Sequence, residues 1–252
     1  EISDKNKIKG DNPVTDIDIE TQNLILKNIK KEFPEHGILG EEGDTTEKVK
    51  SDYLWIIDPI DGTKNFINQI PLYCVSIAIF YNGDPIISGV GIPWNENCII
   101  TAQKDKGIKS NFYRERSDSK KSKPAAGLLS FAPSHFTIGN IVKKNFFSNS
   151  GELRNLGSTA AELALVANGN AQFAISGYAF TWDFAASWLL INESRKKIYF
   201  GDMNENKWLE INPWKSYYQN GIYDHNNDSF RELLELELPF RQLLQDLPLG
   251  FV

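Results

Sequence analysis

Residues 53–66, Tyr-Leu-Trp-Ile-Ile-Asp-Pro-Ile-Asp-Gly-Thr-Lys-Asn-Phe, decide how this chain is read. The apolar run Tyr53 to Ile57 has the character of a buried strand. It ends in Asp58, Pro59 then fixes φ, and Asp61 follows three residues after Asp58, just before Gly62-Thr63. A tight turn there brings both carboxylates to one strand end. Hard divalent cations such as Mg²⁺ take oxygen ligands at octahedral positions, and the turn can aim a main-chain carbonyl, that of Ile60, at the same point. Gly62 and Thr63 are expected to open a helix whose free N–H groups and positive dipole end favour a phosphate. The competing reading is an Asp-rich turn with Asp61 as a helix N-cap.

Three further acidic sites bear on that choice. Gly40-Glu41-Glu42-Gly43 sets two carboxylates between glycines, after the apolar pair Ile38-Leu39. This suits a loop ligand or a solvated acidic turn. Asp183, in Trp182-Asp183-Phe184-Ala185-Ala186, stands at the start of a predicted helix, where an ordinary N-cap is the simpler assignment. Thr15 and Asp18 have the spacing of a capping box.

Working outward, apolar periodicity predicts a helix from Asp16 to Lys31, with Ile17, Leu24, Ile25 and Ile29 on or near one face and Pro34 as its stop. Strands are predicted at Leu72 to Tyr81 and Pro85 to Ile92, with a hairpin turn at Asn82-Gly83. The second half alternates differently: strand Leu128 to Ala132, helix Thr159 to Ala167 closed by Asn168-Gly169, strand Ala171 to Ser176 and helix Asp183 to Asn192. The charged stretch Arg114 to Ala126 reads as a soft boundary between an α+β half, residues 1–126, and an α/β half, residues 127–252.

Composition narrows the function classes. With 41% hydrophobic and 12% aromatic residues, the 252-residue chain is globular rather than disordered. The 33 acidic and 27 basic residues give a net charge of −6, the wrong sign for a nucleic-acid polymer and better suited to a small-molecule partner. Cys74 and Cys98 lack metal-site or redox spacing and read as buried free thiols. With no histidine near them in sequence, neither reads as a covalent nucleophile, and the flanks of His36, His135 and His225 suggest surface positions. The N-terminus is polar and no apolar run approaches the ~18 residues that span a bilayer, so the expectation is a cytoplasmic protein without membrane partners.

Taken together and in this order, the acidic segments resemble the inositol monophosphatase family of metal-dependent, lithium-sensitive phosphatases, whose superfamily includes fructose-1,6-bisphosphatases and 3′(2′),5′-bisphosphate nucleotidases. The string Asp58 to Phe66 carries most of the resemblance. It is supported by Gly40-Glu41-Glu42-Gly43, the strand CVSIAIF, the GVGIPW segment with its following ITAQKDKG, and LGSTAAELALVANG from Leu156, and it covers roughly Lys9 to Asn192. The resemblance implies a layered α-β-α-β-α sandwich and a homodimer. It also implies two or three Mg²⁺ ions, with Glu41, Asp58, the Ile60 carbonyl, Asp61 and Asp183 as ligands and Asp18 near an outer, third metal. Thr63, with Glu41 or Glu42, would position the attacking water, and the Gly62 and Thr63 amides would cradle phosphate. The upstream basic partner would be Lys9, with Lys7 as the alternative. The chemistry is coherent, because phosphate monoester hydrolysis requires on the order of 20 kcal/mol of catalysis, which two divalent cations and a water can address without a covalent nucleophile.

Two departures concern the substrate. Relatives acting on inositol phosphates usually carry an acidic residue seven positions before the Trp-Asp aspartate; here it is Ser176, which with Tyr178 is the candidate substrate contact. Glu193 is followed by Ser194-Arg195-Lys196-Lys197 in place of the usual Ala-Gly-Gly. The basic run reads as a solvated helix end or as a contact for a second phosphate. The reading is therefore a Mg²⁺-dependent phosphomonoesterase for a small phosphorylated polyol or sugar. The alternatives are a bisphosphate nucleotidase, fructose-bisphosphatase or histidinol phosphatase, and an inactive regulatory homologue.

Overall fold

Residues Tyr53–Asp61 form the third strand of a seven-stranded mixed sheet. The structure, a computed structural model, describes residues 2–4, 13–42, 46–47, 51–93, 98–111, 126–130, 152–176, 179–198, 200–202 and 207–209. A short antiparallel pair, β1 (Ile2–Asp4) with β2 (Pro13–Thr15), leads into helix α1 (Asp16–Glu32). The large sheet has the order β4 (Thr46–Glu47), β3 (Gly37–Gly40), β5 (Tyr53–Asp61), β6 (Cys74–Tyr81), β7 (Asp84–Ile92), β8 (Cys98–Gln103), β9 (Ile108–Ser110). Only β3 and β5 pair in parallel. The turn between β6 and β7 falls at Asn82-Gly83, both with positive φ, as a tight hairpin requires.

Side chains alternate along β6. Cys74, Ser76, Ala78 and Phe80 are buried on the face covered by two later helices, α3 (Thr159–Asn168) and α4 (Thr181–Glu193). The main core lies here. Alanines at 160, 161, 164, 185 and 186, all buried, let the helices and sheet approach closely. Beyond α3 lies a second, parallel sheet of β11 (Glu152–Arg154), β10 (Ala126–Ser130) and β12 (Phe173–Ser176). Helix α1 covers part of the opposite face of the large sheet. The described residues thus build α-β-α-β layers of the expected sandwich and contain no element of its fifth layer. Most of the predicted boundary at Arg114 to Ala126 lies outside the described residues.

The inward face of α1 differs from the amphipathic reading. Ile17 and Leu24 are 44% and 63% exposed, while Asp18, Gln22, Leu26 and Ile29 are buried. Polar residues occupy inward positions because they have partners there. Gln22 brackets the main chain of Glu42, donating Nε2 to its carbonyl at 2.5 Å and accepting its N–H at 3.0 Å.

Helix α4 is anchored at its far end. The Glu193 carboxylate accepts from the Asp105 and Gly107 amides, at 2.9 and 2.7 Å, in the turn between β8 and β9. The Lys196 ammonium donates to the Val166 carbonyl in the last turn of α3. Charge-assisted bonds contribute about 1.5–3 kcal/mol when removal leaves a partner unsatisfied. Glu193→Ala is therefore expected to lower unfolding stability by about 2 kcal/mol with an unchanged urea m-value, as measured by equilibrium denaturation.

Candidate metal centre

Strand β5 does not stop at Asp58. It continues to Asp61 through an irregularity: Asp58 pairs with Ser76 and Asp61 with Cys74, so one extra residue sits on the β5 side. The carboxylates are gathered by a bulge rather than by a turn, as bulges re-aim side chains. Helix α2 (Thr63–Ile67) then begins at Gly62, φ +97°, which is its N-cap and supplies no side chain. Asp61 is not that helix's cap, which removes the simplest structural alternative.

Asp61 reaches the other half of the chain instead. Its Oδ2 accepts from the Ala160 amide at 2.6 Å and the Ser158 hydroxyl at 2.7 Å, both at the start of α3. Asp183 occupies the first turn of α4, three positions past the N-cap Phe180, with Oδ2 accepting from the Phe180 amide at 2.7 Å. Ligand oxygens of Asp58, Asp61 and Asp183 all lie within 4.8 Å of one another. Asp58 is 1% exposed, and its Oδ1 is buried without a hydrogen-bond partner. Glu41 faces Asp58 closely enough for their carboxyls to share a hydrogen bond. Four carboxylates from three separated segments thus converge, and a buried, orphaned carboxylate oxygen among acids is the donor set that fits a divalent cation.

The electrostatics follow from this packing. Burial, then repulsion from Glu41, Asp61 and Asp183, pushes the Asp58 carboxyl well above the usual range. Burial with repulsion from Asp61 and Glu41 does the same to Asp183. Asp61 is raised by burial to about 6, even though the donors on its Oδ2 pull the other way. Cys74, fully buried and 3.8 Å from Asp61 Oδ2, is held as a neutral thiol by burial and that neighbouring charge. Both cysteines are free and buried, as expected.

The remaining predicted residues distribute as follows. Asp18, fully buried, accepts at Oδ2 from the Thr15 amide at 2.7 Å, and its Oδ1 lies 3.5 Å from the Thr63 hydroxyl. The same hydroxyl donates to the Ile60 carbonyl at 3.1 Å. The capping box is real, and its acid also touches Thr63. Glu42 is buried beside Glu41. Ser176 ends β12, which runs back along α3, so it returns to the end where α3 and α4 begin. Tyr178, Lys7, Lys9, His135 and His225 lie outside the described residues. His36 is not a plain surface residue: it stacks between Phe33 and Tyr53, centroids 4.9 and 4.5 Å away, and its Nδ1 accepts from Trp55 Nε1 at 2.9 Å.

The basic run does not serve the site. α4 has 13 residues, about 20 Å at 1.5 Å per residue, and Arg195 to Lys197 lie beyond its C-terminal end while Asp183 sits at its N-terminal end. Lys196 is committed to Val166 and Arg195 closes the helix with φ +61°. Of the two readings of this run, the geometry supports the helix end rather than the second-phosphate contact. Residues that sequence reasoning missed are Gln22, Asn65 and Ser158. Asn65 Nδ2 donates to the carbonyls of Leu72 and Leu156, both at 2.6 Å, and so stitches the end of α2 to the loop that enters α3.

The sequence profile of the inositol monophosphatase family matches residues 1–195. The chain belongs to that family. The Nus factor SuhB of Escherichia coli strain K12 is 35% identical over 192 residues, covering 74% of this chain and 71% of the relative. A Thermotoga maritima IMPase superposes with a TM-score of 0.65 at 33% identity, over 77% of this chain and 73% of that one. An IMPase/NADP phosphatase complexed with Mg²⁺ and phosphate gives 0.63 at 26% identity, over 81% and 75%. The family resemblance and the sandwich expected from sequence are thereby established. Among the described residues, no helix is long and apolar enough to cross a membrane.

The raised carboxyls make stability depend on pH in a determined direction. A folded-state value of about 6 against 3.8 for Asp61 means that the folded chain holds this proton more tightly than the unfolded chain. The stabilising contribution is complete below 3.8 and lost as pH rises through about 6. Without divalent cations, Asp61→Asn is expected to melt above the wild type at pH 7.5, with the difference closing at pH 4, as measured by calorimetry in EDTA.

Proposed function

We propose that the chain is a Mg²⁺-dependent phosphomonoesterase acting on a small phosphorylated polyol or sugar. The orphaned Asp58 oxygen within a cluster of four carboxylates carries this reading. Family membership alone does not, since a protein named as a Nus factor belongs to the same family. Glu41, Asp58, Asp61, Asp183 and the Ile60 carbonyl would hold the metal. Magnesium held there would supply positive charge to the phosphoryl and leaving oxygens and would lower the pKa of a bound water.

The chain's own residues do the rest. The Thr63 hydroxyl has one proton, directed to the Ile60 carbonyl or to Asp18, so its lone pairs accept from the attacking water and orient it. Asp18, pinned at Oδ2 by Thr15, offers Oδ1 as the proton's destination through Thr63. This geometry supports Asp18 as the partner of Thr63 in place of a third-metal ligand. The Gly62 and Thr63 amides cradle the phosphate, and Ser176 lies at the substrate end of β12.

A phosphate-release assay with Mg²⁺ tests the reading. Asp58→Asn or Asp61→Asn is expected to cut turnover by several orders of magnitude with the fold retained, and EDTA to abolish release until Mg²⁺ is restored. Activity within tenfold of wild type in either variant would remove the assignment.

Selectivity follows from Ser176. A serine lacks the charge-assisted grip of a carboxylate on vicinal hydroxyls, which contributes about 1.5–3 kcal/mol. Inositol 1-phosphate is therefore expected to give a kcat/KM at least tenfold below the best substrate in a panel with histidinol phosphate, fructose 1,6-bisphosphate and adenosine 3′,5′-bisphosphate. Ser176→Glu is expected to shift preference toward it, and inositol 1-phosphate emerging best with the wild type would refute the inference.

A further inference from the structure

Asp61 is the acid that joins the two ends of the fold, and its surroundings are built asymmetrically. Oδ2 accepts short hydrogen bonds from the Ala160 amide at 2.6 Å and the Ser158 hydroxyl at 2.7 Å and lies 3.8 Å from the Cys74 thiol, while the Ala161 amide also donates to this carboxylate. The two short bonds fill the lone pairs of that oxygen. Oδ1, which neither short bond uses, keeps lone-pair capacity for a cation at the cluster with Asp58 and Asp183.

Ser158 is fully buried and has a single proton. That proton goes to Asp61, so the hydroxyl can only accept from its other neighbours, the Ala161 amide at 3.4 Å and Cys74 Sγ at 3.5 Å. The Cys74 thiol has one proton, which it offers either to this hydroxyl or to Asp61 Oδ2. One hydroxyl thus caps α3 and, at the same time, grips a carboxylate supplied by β5.

The grip is rigid. A Cβ on Gly62 would stand 3.1 Å from the Gly157 carbonyl and 3.3 Å from Ser158 Cβ, and a Cβ on Gly157 would stand 2.9 Å from Asn65 Nδ2. Asn65 in turn ties the loop entering α3 to the end of α2 through Leu156 and Leu72. Ser158 therefore cannot drift relative to Asp61.

We propose that Ser158 is a positioning residue that locks Asp61 Oδ2 and so aims Oδ1 at the metal, which sets metal affinity rather than the chemical step. The proposal rests on the reading of Asp61 as a metal ligand. Partners that orient ligands in this way typically change metal affinity 10- to 100-fold when removed.

The test is calorimetric titration of Mn²⁺ into metal-stripped full-length protein, with circular dichroism as the check on folding. Ser158→Ala is expected to bind 10- to 100-fold more weakly. Ser158→Gly is expected to show the same loss, although glycine is nearly as good an N-cap as serine, which separates aiming from capping. In phosphate-release assays, the half-saturating Mg²⁺ concentration is expected to rise by a similar factor while kcat at saturating Mg²⁺ stays within threefold. Binding within threefold of wild type in both serine variants, while Asp61→Asn loses it, overturns the positioning role and leaves the ligand reading intact. Wild-type affinity in Asp61→Asn overturns the ligand reading itself. A fall in kcat at an unchanged Mg²⁺ requirement also overturns the proposal.

Discussion

Like charges held together away from water are the constraint around which this fold is arranged. Two carboxylates within 4.8 Å repel by about 3 kcal/mol at an effective dielectric constant near 20, and three of them share that spacing here. The chain offsets part of this with main-chain amides. Asp18, Asp61 and Asp183 each rest one oxygen on an N–H at the start of a helix, from Thr15, Ala160 and Phe180 respectively. A helix N-terminus contributes about 0.3–1 kcal/mol per acid, rising toward 2 when partly buried. Repulsion and desolvation win, so the acids of the cluster stay raised. A divalent cation is the group whose charge reverses that balance.

The architecture follows from needing two helix starts at one strand end. α3 and α4 pack side by side through alanines, and the Ser187 hydroxyl donates to the Ala160 carbonyl at 3.1 Å across them. Ser76 on β6 donates to the Trp182 carbonyl at 3.3 Å, which fixes the first turn of α4 over the sheet. At the opposite end, Glu193 and Lys196 hold the helix termini with bonds that involve no site residue. The helices are thus pinned at both ends, and the acids inherit that precision.

Local features were legible in the sequence. The hairpin at Asn82-Gly83, the Thr15–Asp18 box, the glycine closing α3 and the acids of the quoted stretch all have short-range chemistry that leaves a pattern in neighbouring residues. The inward face of α1 was misread because hydrophobic periodicity is blind to polar residues with distant partners, such as Gln22 against Glu42. Asn65 and Ser158 were invisible for the same reason, since their partners lie 91 and 97 residues away. The bulge between Asp58 and Asp61 was read as a turn because Pro and Gly mark both, and only strand register distinguishes them. The basic run after α4 looked like a binding feature because composition carries no information about which end of a helix faces the site.

The contact between Gly62 and Gly157 bears on how this region tolerates change. Each has positive φ; a methyl group on Gly62 would press on the Gly157 carbonyl at 3.1 Å, and one on Gly157 would collide with the Asn65 amide of α2 at 2.9 Å. Because the opposing atoms are a main-chain carbonyl and an amide already bonded to two carbonyls, no side-chain rotation opens the space. The loops before α2 and before α3, remote in sequence, therefore behave as one unit of variation. A side chain added in one is accommodated only by a shift in the other, so this small patch resists single substitutions although it holds no acid.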